Sequence, residues 1–94
     1  MDLVKEISDE FFALLVDRAN KKACIVHREY PMANVGFVDE ISIGYDVRIA
    51  VTGLELNVED GPLFNYISRG IYADFDSAVD ALWDEREQPI VDVL

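Results

Sequence analysis

The chain has 94 residues, 51% of them hydrophobic, and 19 acidic side chains against eight basic ones, a formal charge of −11. That length supports one small domain spanning residues 1–94, and the apolar share excludes a wholly disordered chain. The charge argues against a protein that grips DNA or RNA directly, because phosphate backbones are held by clustered Lys and Arg. No run of about 18 uncharged apolar residues is present to cross a membrane.

Residues 2–20 predict a helix. Leu3, Val4, Ile7, Phe11, Leu14, Leu15 and Arg18 recur at spacings of three and four, with Glu6, Asp9, Glu10 and Asp17 on the opposite side. Phe12 and Val16 widen the apolar stripe. Residues 23–30 predict a strand that Pro31 ends. Val35, Phe37, Ile41, Ile43, Tyr45, Val47, Ile49 and Val51 all hold odd positions, the period-two mark of sheet. The parity is unchanged across Gly44, which favours one long bent strand. Leu54, Leu56 and Val58 resume alternation after Gly53 with the opposite parity, as a further paired strand would. Residues 63–72 fit either a short helix or a strand, with the helix preferred. Asp76 is expected to cap a last helix over 77–87, with Ala78, Val79, Leu82 and Trp83 inward and Pro89 beyond its end.

These elements predict an α+β fold: an N-terminal helix, a three-stranded antiparallel sheet, then one or two C-terminal helices packed on one face. Phe11, Leu15, Ile43, Ile49, Val51, Leu56, Val79 and Leu82 are the expected core.

Few residues offer catalytic chemistry. His27 is the one histidine and Cys24 the one cysteine, so neither a Cys/His zinc cluster nor an internal disulfide can be assembled. The five glycines are spread as turn punctuation and form no phosphate-cradling motif. The expectation is a protein that is not an enzyme and holds no cofactor or metal. The segment 1–6 has neither the basic start nor the apolar run of a secretory signal, so the expected location is the cytoplasm, or that of a host cell.

The charge is uneven. Residues 1–38 carry six acids and five bases, while residues 39–94 carry thirteen acids and only Arg48, Arg69 and Arg86. On the last helix Asp76, Asp80 and Asp84 fall at i, i+4 and i+8, on one side, with a rise of about 6 Å per step. Asp74, Glu85 and Glu87 flank them. A row of carboxylates at roughly that pitch imitates backbone phosphates along a strand and fits a Lys/Arg-lined groove. These six acids are the candidate partner-binding residues, and the candidate partner is a basic protein, such as a nucleic-acid-binding effector complex.

In size, in charge, in a single helix before an antiparallel sheet and in an acidic terminal helix, the chain resembles small phage-borne inhibitors of the anti-CRISPR type. The resemblance covers the whole chain as composition and element order. It implies a non-enzymatic inhibitor that occupies the nucleic-acid-binding surface of an effector. The alternative is a homodimeric interaction module whose contact uses Phe12, Val16 and Trp83, or the apolar tail 89–94.

Overall fold

The computed structural model describes residues 3–29, 34–52 and 64–86. Six strands, β1 (Val4–Ser8), β2 (Phe12–Asp17), β3 (Lys22–His27), β4 (Asn34–Ile41), β5 (Gly44–Thr52) and β6 (Phe64–Tyr72), precede one helix, α1 (Phe75–Asp84). The strands form a single sheet in sequence order, every neighbouring pair antiparallel.

The expected N-terminal helix is therefore corrected to a hairpin, and the three-stranded sheet to a six-stranded one. The reason lies in local hydrogen bonding. The Asp9 carboxylate accepts the backbone N–H groups of Phe11 and Phe12 at 2.9 and 2.7 Å, turning the chain where a helix would continue. The next reversal uses Asp17, whose side chain accepts the Asn20 backbone N–H at 3.2 Å, and Lys21, which takes φ of 56°. Between these turns the run from Phe12 to Val16 forms a strand, and Phe12, Ala13, Leu14 and Val16 are all buried.

The long bent strand expected over 35–51 is also corrected. Ser42 and Ile43 make a two-residue turn between β4 and β5, and Gly44 (φ 151°) packs its α-carbon against the β6 backbone, where a Cβ would stand 2.5 Å from the Tyr72 carbonyl oxygen. Ile43, expected in the core, is 74% exposed at that turn. Residues 64–72 form a strand, not the preferred short helix. The expected strand at Leu54, Leu56 and Val58 and the tail 89–94 lie outside the described residues.

Cross-strand register sorts the side chains into two faces. Phe12, Leu14 and Val16 align with His27, Ile25 and Ala23; Ile25 aligns with Gly36, Gly36 with Ile49, and Val38 with Val47. This face carries α1, whose Phe75, Ala78, Val79 and Leu82 close the core over it. Gly36 lets the helix approach: a Cβ there would stand 2.8 Å from Ile49 Cδ1 and 3.0 Å from Leu82 Cδ1. The opposite face carries the row Lys5, Leu15, Cys24, Phe37, Arg48 and Ser68. Both outer strands meet their neighbours through a register shift, between Lys5 and Ile7 and between Asp46 and Arg48. Such irregularity makes a sheet edge a poor template for another chain. Among the described residues no helix is long and apolar enough to cross a membrane.

Candidate functional site: the acidic helix

α1 forms because Phe75, Ala78, Val79 and Leu82 repeat at helical spacing and bury one side, leaving Asp76, Ser77, Asp80 and Asp84 exposed. The cap is Asp74, not Asp76: its backbone is extended (φ −126°, ψ 156°), and its carboxylate accepts the Ser77 N–H at 2.8 Å and the Ser77 hydroxyl at 3.0 Å. Those two bonds favour the ionised form and hold the Asp74 carboxyl below its ordinary value. The helix ends at Asp84, short of the expected Glu87, with Glu85 as C-cap.

The six acids read from the sequence divide by what they touch. Asp74 is consumed in the cap. Asp76 pairs with Arg18, whose guanidinium also grips Glu6 through Nε at 3.0 Å and Nη2 at 2.7 Å. The bonds to Glu6, reinforced by the nearby Asp76 charge, raise the Arg18 pKa further. Glu85 accepts from Arg69 Nε of β6 at 3.1 Å. Glu87 lies outside the described residues. Asp80 and Asp84 face solvent with no ion-pair partner among the described residues.

The arginines are engaged elsewhere. Each of the five arginines bonds to an acceptor of its own chain. Besides Arg18 and Arg69, Arg86 donates to Asp9 at 2.8 Å and to the Trp83 carbonyl at 2.8 Å, with its guanidinium 4.0 Å above the Trp83 ring. Arg28 donates to the Asp9 carbonyl at 2.6 Å, and Arg48 to Asp46 and the Tyr66 carbonyl, both at 2.9 Å. Lys21 sits 5.5 Å from the centre of the Phe75 ring. The ties of Arg18 to Asp76, Arg69 to Glu85 and Arg86 to Asp9 join elements far apart in sequence, so spacing alone gave no sign of them.

The residues weighed as dimer contacts are placed differently from each other. Phe12 and Val16 are each 2% exposed, inside the core, because they belong to a strand beneath the core and not to the flank of a helix. Trp83 is half-buried beneath Arg86. Sequence reasoning missed the polar cluster on the far face, where buried Asp46 accepts from the Ser68 hydroxyl at 2.5 Å and from Arg48. It also missed the exposure of Val4, Ile7 and Phe11, which a helical stripe had assigned inward.

Among the described residues no group of three or more His, Cys, Asp or Glu side chains could hold a metal ion. Burial pushes the Cys24 thiol up, which disfavours the thiolate. An open depression of about 430 Å³ beside it is lined by Leu3, Lys22, Phe37 and Asp39. Compared with protein families, curated proteins and solved structures, the chain matches none of them.

Proposed function

We propose that this protein is a non-enzymatic acidic binder that covers a basic, nucleic-acid-binding surface of a partner protein and thereby inhibits it, as anti-CRISPR-type inhibitors do. One observation carries the reading: every arginine is turned onto the chain's own acceptors, while Asp80 and Asp84 stand exposed and unpaired on α1 among the described residues. With its arginines so engaged, the helix presents these two carboxylates outward, and a Lys/Arg-lined groove is their complement. Asp80 and Asp84 are the recognition residues. Asp74, Asp76 and Glu85 hold the helix that displays them.

The test is affinity capture from the cells in which the protein acts. Wild type and D80N/D84N are immobilised at low ionic strength, and proteins retained only by wild type are eluted with salt. A retained protein that loses its bound nucleic acid when wild type is added supports the reading. Equal retention by both forms, or nucleic-acid binding undisturbed by wild type, overturns it.

A further inference from the structure

We infer that β1 is a strap: it leaves the sheet as a unit, swinging about Asp9, and one arginine latches it closed. This stands apart from the reading above and does not rest on it. Every residue of β1 is exposed, whereas β2 beside it is buried along most of its length. The aliphatic members of β1, Val4 and Ile7, are 60% and 44% exposed. β1 packs against β2, while α1 sits on β3, β4, β5 and β6. The ladder between β1 and β2 is itself interrupted by the register shift between Lys5 and Ile7. A strand with so little buried side-chain surface opens at lower free energy than the core.

The hinge and the strap are held differently. Asp9 donates its N–H to the Phe12 carbonyl at 2.9 Å, and its carboxylate accepts the N–H groups of Phe11 and Phe12. Arg28 donates to the Asp9 carbonyl, and Arg86 to the Asp9 carboxylate. None of these bonds involves residues 4–8, so the hinge stays pinned when β1 departs. Within β1, Glu6 makes the ion pair that ties the strand to the rest of the fold: Arg18 grips it and reaches on to Asp76 of α1. The Arg18 and Glu6 side chains are 49% and 30% exposed, so salt screens the pair.

Release has a defined consequence. β2 becomes the outer strand, and its backbone groups turned toward β1 lose their partners. Phe12, Ala13, Leu14, Leu15 and Val16 are all apolar, so the opened form presents an unpaired hydrophobic edge. The closed strap keeps that edge covered behind a strand that carries Lys5 and Glu6.

Native-state hydrogen exchange, followed by NMR against urea, tests this. The amides that join β1 and β2 should share one opening equilibrium, about a hundredfold less protected than the amides of β3, β4 and β5, with a smaller urea dependence than global unfolding. The β2 amides bonded to β3 should stay with the core. Glu6→Gln should raise the opening about threefold, the worth of one exposed ion pair, and leave the core amides unchanged. Added salt should raise it in wild type and much less in Glu6→Gln. Lys5→Gln, which removes a charge from the same strand that has no ion-pair partner among the described residues, should change nothing. Protection of β1 equal to that of β4 overturns the inference. So does a gradient from Ser8 to Val4 with no urea dependence, which is fraying, or joint opening of β1 and β2. Separate opening that Glu6→Gln leaves unchanged, or that Lys5→Gln shifts equally, overturns the latch.

Discussion

Gly36→Ala tests the seating of α1 on the sheet. The added methyl would stand 2.8 Å from Ile49 Cδ1, 3.0 Å from Leu82 Cδ1 and 3.1 Å from the Arg48 carbonyl oxygen. The first two atoms end flexible side chains, but Leu82 is 0% and Ile49 2% exposed, so neither has free space to enter. The carbonyl belongs to β5 and is fixed by the sheet. Overpacking of this kind costs about 1–3 kcal/mol. Alanine recovers about 0.4–1 kcal/mol by restricting the unfolded chain, since Gly36 is not among the positive-φ glycines. The net expectation is a loss of about 1–2 kcal/mol, or about 5–15 °C in thermal melting. Ile49→Val alone costs about 0.5–1.5 kcal/mol, but it removes the methyl that clashes. The double variant G36A/I49V should then be more stable than the sum of the two losses predicts. Thermal and urea melts of the four proteins give that cycle. A neutral or stabilising Gly36→Ala, or strict additivity with Ile49→Val, would refute the close helix–sheet contact at this point.

The remaining expectations concern the acids that hold the fold. Asp74→Ala should lower the melting temperature, while Asp74→Asn should retain most of it, because asparagine also caps; circular dichroism melts distinguish them. Partial burial pushes the Asp9 carboxyl up, but hydrogen bonds from Arg86 and from the Phe12 and Phe11 N–H groups outweigh it and hold the group below 3.8. A depressed native pKa stabilises the fold above the unfolded value and loses that contribution as pH falls through the native one. Melts below about pH 4 should therefore show acid loss that Asp9→Asn reduces; the same slope in both proteins would count against the Arg86–Asp9 tie. Asp76→Asn, which leaves Arg18 with Glu6 alone, should cost less than about 1 kcal/mol in urea melts, as befits an exposed pair.

The last helix was legible in the sequence because Ala78, Val79 and Leu82 are buried at helical spacing and nothing competes with that pattern. The first hairpin was not. Leu3, Val4, Ile7, Phe11, Leu14 and Leu15 satisfy the helical template, yet Asp9-Glu10-Phe11 connects two strands, and the Asp9 carboxylate accepts from the backbones of Phe11 and Phe12. The contiguous run from Phe12 to Val16 was the better signal, since consecutive buried residues need cover on both sides of a strand. At β4 and β5 the pattern was seen and its meaning reversed. A two-residue turn pairs Ile41 with Gly44, so even positions of β4 share a face with odd positions of β5. Val38 thus meets Val47, while Phe37 lies on the other side of the sheet from Ile49. Unbroken odd parity across Gly44 is the signature of such a turn as much as of one long strand.

The acidic stripe was legible as spacing but not as function. Helical periodicity correctly put Asp76, Asp80 and Asp84 on the exposed side of α1. It carried no information on Arg18 and Arg69, which come from β-strands or their turns and engage Asp76 and Glu85. Only the tertiary arrangement separates acids that tie the helix down from acids left free.

The most direct measurement of the central claim is the affinity of the captured basic partner for wild type, D80N/D84N and D76N, each at low and high salt. The account predicts that D80N/D84N binds more weakly and loses much of the salt dependence, because exposed carboxylates act through screened attraction and association rate. D76N removes a carboxylate that Arg18 already engages, and should stay closer to wild type. Unchanged affinity and unchanged salt dependence in D80N/D84N would contradict the assignment of this helix face.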